Sequence, residues 1–226
     1  MHPDRRAFVD VLHSLENAAQ AAGRPGGVRL LAVSKTRSAQ AVASLADGGQ
    51  RAFGENYVQE ARGKIAALAD RSLEWHLIGH LQSNKAREAA ALFDWVQTVD
   101  RTRLVDALAA ARAPERAPLN VLLQVNIDDE ASKHGCRPGQ LDALADAIAM
   151  QPRLQLRGLM AIPAPHADPE ARRPAFRRMK QLFDAIAARH PHADTLSMGM
   201  SDDFAIAIEE GATMVRIGTA LFGPRG

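Results

Sequence analysis

The amino-acid sequence predicts an α/β fold, a single (β/α)8 TIM-type barrel spanning residues 1–226, with an additional helix at its N-terminus. Three observations lead there. Short aliphatic runs recur eight times, helical periodicity fills the intervals between them, and most runs end in unusually polar residues. A strand buried on both faces of a parallel sheet reads as a near-continuous apolar run, as "VRLLAV" does from Val28 to Val33. An open doubly wound sheet is the alternative assembly of the same units.

In chain order, a helix is expected from near Pro3 to near Gly23. Strands follow near residues 28–34, 51–55, 74–79, 95–99, 119–127, 154–162, 195–200 and 214–218. Between them, "SAQAVASLADGG", "YVQEARGKIAALA", "RTRLVDALAAARA", "PGQLDALADAIAMQ" and "PEARRPAFRRMKQLFDAIAARH" carry helical spacing. The most irregular connection, "IPAPHADPEARRP", is expected to form a loop over one barrel end.

Composition narrows the function classes. With 226 residues and 46% hydrophobic content, the chain can bury one substantial core. The formal charge of +2 arises from interspersed acids and bases, and no long basic run points to nucleic acid. Cys136, the only cysteine, rules out an internal disulfide. The opening residues carry charges throughout, unlike a signal peptide, and no apolar run approaches the roughly 18 residues of a membrane span. A cytoplasmic monomer, bound neither to membrane nor to nucleic acid, is the expectation.

Barrel chemistry sits where strands end, on the C-terminal face. Here the exits read Ser34 and Lys35 after strand 1, "FGEN" after strand 2, "HLIGHLQSNK" after strand 3, "VNIDDEASKHG" after strand 5, "SMGMSDD" after strand 7 and "VRIGTALFG" after strand 8. In strand 8, Val215 and Ile217 share the helix-covered face, so alternation turns Met214, Arg216 and Gly218 inward. Gly218 and Thr219, with Gly199 and Ser201 from strand 7, stand where barrels often hold phosphate. Equally, these residues suit a tight turn and a helix cap, with Ser201 or Asp202 starting the segment "DDFAIAIEEG".

Lys35 is one of only five lysines in an arginine-rich chain. A lysine desolvated at a barrel mouth can be a neutral amine, a nucleophile toward an aldehyde. An aldehyde with a phosphate arm describes pyridoxal 5'-phosphate, and Arg216 would then face its pyridine nitrogen. Spacing alone does not choose between this and a Lys35 that snorkels out to pair with Glu55 or Asp203.

Longer motifs carry a resemblance over nearly the whole chain: "LLAVSKT" around Lys35, "FGENYVQE" from Phe53, "WHLIGHLQSNKAR" from Trp75, "VNIDDEASKHG" from Val125, "GLMAIP" from Gly158, and "LSMGMSDDFAIAIEEGATMVRIGTALFG" from Leu196. In these the sequence resembles the YggS/PROSC family of pyridoxal phosphate homeostasis proteins, relatives of the alanine racemase N-terminal barrel with fold type III cofactor binding. The resemblance implies that Lys35 holds pyridoxal phosphate as a Schiff base. It also implies that Ser201, Gly218 and Thr219 hold the phosphate, that Arg216 faces the ring nitrogen, and that Asn56 helps fix the ring.

Other motif residues have plainer uses. One of His76 and His80 lines the pocket, or both are core or exit histidines. Gln82, Asn84 and Lys85 are expected to organise a loop and cap the next helix, Lys133 to form an ion pair, and Met198 and Met200 to pack around the pocket. The two histidines have no third ligand at metal-binding spacing. The racemases that resemble this barrel take one of two bases from an added C-terminal domain, whereas this sequence stops shortly after strand 8 and has one tyrosine, Tyr57. An arginine at the pyridine nitrogen also weakens the ring as an electron sink. The expected function is therefore a non-catalytic carrier that supplies apo-enzymes, against two alternatives: a small racemase or lyase, and a Schiff-base aldolase without cofactor.

Overall fold

The computed structural model describes residues 5–130 and 134–223. Its elements run α1 (Arg5–Ala21), β1 (Arg29–Val33), α2 (Ala39–Asp47), β2 (Ala52–Glu55), α3 (Val58–Ala67), β3 (Glu74–Leu77), α4 (Ala86–Leu92), β4 (Trp95–Val99), α5 (Thr102–Ala111), β5 (Leu119–Val125), α6 (Leu141–Ala149), β6 (Leu154–Ala161), α7 (Arg173–Arg189), β7 (Thr195–Ser197), α8 (Phe204–Glu209), β8 (Met214–Ile217) and α9 (Thr219–Phe222). All eight strands pair in parallel with their sequence neighbours, and β8 pairs with β1, from Arg29 opposite Met214 to Ala32 opposite Ile217. The sheet is thus a closed barrel, and the open doubly wound alternative is excluded. The expected start of the first helix near Pro3 falls outside the described residues. Among these residues no helix is long and apolar enough to cross a membrane.

Period-two alternation divides each strand between two cores. Outward residues such as Ala32, Phe53, Val96, Leu159, Val215 and Ile217 join the helices in one large buried cluster. On α7, Phe176, Met179, Phe183 and Ile186 follow the spacing of one helical face, and all four are buried against the sheet. Each such side chain contributes roughly 1.5–3 kcal/mol of burial. The helix start is equally local at α2, where the Ser38 hydroxyl accepts the Ala41 amide.

Inside the barrel the packing is sparser in carbon. Leu31, Ala52 and Met214 form one small apolar cluster, and Trp95, Leu122 and Met160 another. Between them stand His76, Gln97 and Ser197, none exposed to solvent, and above these the nearly buried Arg216. The inward direction read for Met214 and Arg216 therefore matches the packing, with Val215 and Ile217 on the helix side.

Two expected caps differ in the structure. Neither Ser201 nor Asp202 caps α8: Asp203 stands at that position, and its carboxylate instead accepts the Met200 amide at 2.6 Å. Gln82, Asn84 and Lys85 do shape the loop before α4, where the Lys85 amide donates to the Gln82 carbonyl. No side chain caps that helix.

Candidate functional site

At the C-terminal mouth lies a cavity of about 400 Å³, within the size range of small-molecule sites. Lys35, Asn56, Ser201, Arg216, Gly218 and Thr219, the six residues singled out in the sequence, all line it. Val33, Ile78, Ile162 and Met200 give it apolar walls, and Asp202 is its one acid. All five of the other polar side chains carry a hydrogen-bond donor: amine, guanidinium, amide and two hydroxyls. The cavity thus suits an anionic ligand that also carries acceptor atoms, and the residues fit an aldehyde bearing a phosphate and a pyridine nitrogen.

Lys35 occupies the turn after β1 and is half-buried. A group of charges beneath it organises that turn. The Lys64 ammonium, on α3, donates to the Ser34 carbonyl at 2.7 Å, to Glu55 at 2.8 Å and to Glu60 at 2.6 Å. Ser34 donates its hydroxyl to Glu55 at 2.5 Å, and the Thr36 amide donates to Glu60 at 2.6 Å. Thr36 has φ of +63°, which costs energy for a β-branched residue and is held here by the hydrogen bond its amide donates to Glu60. Burial pushes the Glu55 carboxyl upward against the pull of Lys64 and Ser34.

These contacts bear on the snorkelling alternative for Lys35. Of the two carboxylates suggested as its partners, Glu55 is bound by Lys64, and Asp203 accepts from Arg172 at 2.5 Å. Both cations come from other elements. Breaking a buried pair leaves an uncompensated charge, which costs about 3–5 kcal/mol. Lys64→Met is therefore expected to lower unfolding free energy by about that amount, measured by urea titration. A loss under about 1 kcal/mol would show that water already solvates Glu55.

On the opposite side of the mouth, Arg216 donates to the Ser197 hydroxyl at 2.8 Å and to the Ala161 carbonyl at 2.9 Å. Burial lowers its guanidinium to about 10, with Asp203 pulling the other way. It stays cationic at neutral pH. Gly199 turns the chain out of β7 with φ of +93°, and a Cβ there would lie 2.7 Å from that of Ala207. This tight passage delivers Met200 and Ser201 to the cavity edge, while α9 starts at Thr219.

The histidines lie elsewhere. His76 is wholly buried inside the barrel, bonded to the Glu74 and Gln97 side chains at 2.7 and 2.9 Å. His80 lies at the strand exit, its ring stacked on His134 with centroids 3.7 Å apart. Neither lines the cavity. Met200 does, whereas Met198 is buried in the helix-facing core. Lys133 lies outside the described residues. Sequence reasoning missed Glu60, Lys64, Gln97, Arg172 and Ser197 as parts of the site's support. Motif membership alone marks Glu60 and Ser197, and nothing local marks Lys64, Gln97 or Arg172.

Comparison with known proteins shows the family. The family described as alanine racemase, N-terminal domain, matches residues 10–226. A Pseudomonas aeruginosa protein named pyridoxal phosphate homeostasis protein is 55% identical over 219 residues, 96% of this chain and 94% of its own. One of the same name from Escherichia coli is 52% identical over 222 residues, covering 96% and 95%. Among solved structures, PipY of Synechococcus elongatus with PLP bound superposes with a TM-score of 0.80 at 36% identity, covering 92% of this chain and 98% of PipY. With a matching barrel, matching length and identities above half to two relatives, the chain belongs to the alanine racemase N-terminal domain family and, within it, to the pyridoxal phosphate homeostasis proteins.

Proposed function

We propose that this protein binds pyridoxal 5'-phosphate at the barrel mouth and keeps it available to the cell, holding it as a Schiff base on Lys35 without turnover. The observation that carries this reading is the donor-rich cavity that gathers Lys35, Asn56, Ser201, Arg216, Gly218 and Thr219. Lys35 would supply the amine for condensation with the aldehyde carbon, in which a C–N bond forms, the carbonyl oxygen leaves as water, and neither oxidant nor reductant is needed. Ser201, Thr219 and the backbone at Gly218 would hold the phosphate, Asn56 would border the ring, and Arg216 would donate toward the ring nitrogen. The names of the relatives and the PLP-bound PipY support the same ligand.

The lining residues support a reading of binding without turnover. Racemisation needs a proton acceptor on each face of a substrate carbon. Among the described lining residues the second acceptor besides Lys35 would have to be the exposed Asp202, and Arg216, a donor placed toward the ring nitrogen, weakens the ring as an electron sink. We take residues 1–226 as one domain and the working form as a cytoplasmic monomer that passes its cofactor to apo-enzymes.

The decisive experiment is the absorbance spectrum of the purified protein, followed by borohydride reduction and peptide mapping. A near-visible band, discharged by borohydride with covalent capture at Lys35, is the expected result. Capture at Lys64 or Lys85, or no band with added pyridoxal phosphate, overturns the proposal. Exchange of amino-acid α-protons at enzymatic rates would favour a racemase instead.

A further inference from the structure

Five side chains form an unbroken hydrogen-bonded chain through the barrel interior. Arg216 bonds Ser197 at 2.8 Å, Ser197 bonds Gln97 at 2.7 Å, Gln97 bonds His76 at 2.9 Å, and His76 bonds Glu74 at 2.7 Å. The residues come from β8, β7, β4 and β3, so the chain crosses the barrel from the cavity toward its opposite end. There Glu74 also accepts from Arg29 at 2.6 Å.

The two ends dictate the direction of every bond. A guanidinium has donors only, and an ionised carboxylate acceptors only. Ser197 must therefore accept from Arg216 and spend its own hydrogen on the Gln97 carbonyl oxygen. The Gln97 amide then donates to His76 Nδ1, which leaves Nε2–H for Glu74. One further Gln97 contact, from Nε2 to the Met214 sulfur at 3.2 Å, agrees with this amide orientation. Complete burial lowers the His76 imidazole, which favours the neutral tautomer the chain demands. Burial opposes ionisation of Glu74 too, yet His76 and Arg29 hold its carboxyl at about 2. The ring of His76 is also stacked on Trp95, 5.0 Å between centroids and 12° from parallel.

A reversal anywhere leaves two donors or two acceptors facing each other. Doubly protonated His76 would turn the Gln97 amide around, and Ser197 would then face donors on both sides with no acceptor for its hydrogen. The polarity of the chain is thereby locked, and with it the plane of the Arg216 guanidinium.

We propose that Ser197 and Gln97, backed by His76, are positioning residues for recognition of the cofactor's ring nitrogen: they hold Arg216 as an oriented donor, so that the pocket selects an unprotonated pyridine. This rests on the ligand proposed above. It adds that selectivity for the ring nitrogen originates in residues that never touch the ligand.

The test compares pyridoxal phosphate with its 1-deaza analogue, in which carbon replaces the ring nitrogen, by dissociation constants on wild type, Ser197→Ala, Ser197→Thr and Gln97→Met. A charge-assisted hydrogen bond to the nitrogen predicts that wild type prefers pyridoxal phosphate by at least tenfold. Ser197→Ala is expected to erase most of that preference, at least fivefold, with capture at Lys35 retained, and Ser197→Thr to restore it through its hydroxyl. A purely structural role would weaken both ligands equally and leave their ratio intact, which overturns the proposal. Should Gln97→Met fail to fold, the two Ser197 variants decide alone; should Ser197→Ala fail to fold, Ser197→Thr and Gln97→Met decide, the first keeping the ratio and the second losing it. Wild type that binds pyridoxal phosphate without preference refutes this inference only. Wild type that binds neither ligand refutes the ligand itself.

Discussion

Lys35→Ala is expected to eliminate the near-visible band and the borohydride adduct altogether while leaving the barrel intact. The side chain projects from the turn beyond β1 into the mouth cavity and belongs to none of the buried apolar clusters, so its removal opens no core cavity. Its backbone is held independently, through Lys64 on the Ser34 carbonyl and Glu60 on the Thr36 amide. Pyridoxal phosphate should still associate reversibly through its phosphate and ring, and added amines should react with the bound aldehyde. The measurements are the visible spectrum, mass after reduction and the thermal midpoint. A normal band in the variant would mean that another lysine is the attachment point.

Removing the hydroxyls of Ser201 and Thr219 together should weaken retention of the cofactor by roughly two to four decades, since each hydrogen bond to a charged group contributes about 1.5–3 kcal/mol. Both side chains lie at the cavity edge, Ser201 half-buried and Thr219 exposed, so Ser201→Ala with Thr219→Val alters little packing. This protein should still be captured at Lys35 at high pyridoxal phosphate concentration, yet lose the ligand on dialysis. Wild type should strongly prefer pyridoxal phosphate to unphosphorylated pyridoxal. Equal affinity for the two would remove the phosphate role from Ser201, Gly218 and Thr219.

Much of the architecture is legible in the sequence because a closed parallel barrel buries its strands on both faces. "VRLLAV" and "LNVLLQV" are apolar for that reason, and their spacing announces the repeating unit. Strand ends are less legible. The run read near residues 195–200 stops at Ser197, because the chain leaves the sheet at Gly199 with a positive φ. Helix α4, "AREAAAL", is expected after Lys85 but without bounds, since it packs through alanines and lacks a stripe of large apolar residues.

The mouth residues are legible for a related reason: strand exits are visible wherever strands are, and polar groups there stand out. Their supports are not. Alternation says that His76, Gln97, Ser197 and Arg216 all point inward, but only the stagger between strands decides which of them touch. Likewise nothing near Arg172 in sequence names Asp203, and nothing near Ser34 names Lys64.

The seam between β1 and β8 carries a consequence for biosynthesis. It joins Arg29 to Met214, among the most distant pairings in the chain, and α1 packs beside it on α8 and α9. Contacts of such separation form late, after the entropy of a very long loop has been overcome. Lys35 and Asn56 sit on one side of this seam, and Ser201, Arg216, Gly218 and Thr219 on the other. A nascent chain therefore has no complete binding site until its last strand has emerged and docked. A vitamin B6 ligand held by both sides, as proposed above, would then act as a clasp, biasing the closed barrel by mass action. On this view, vitamin supply sets how long the protein survives proteolysis as well as how much cofactor it carries.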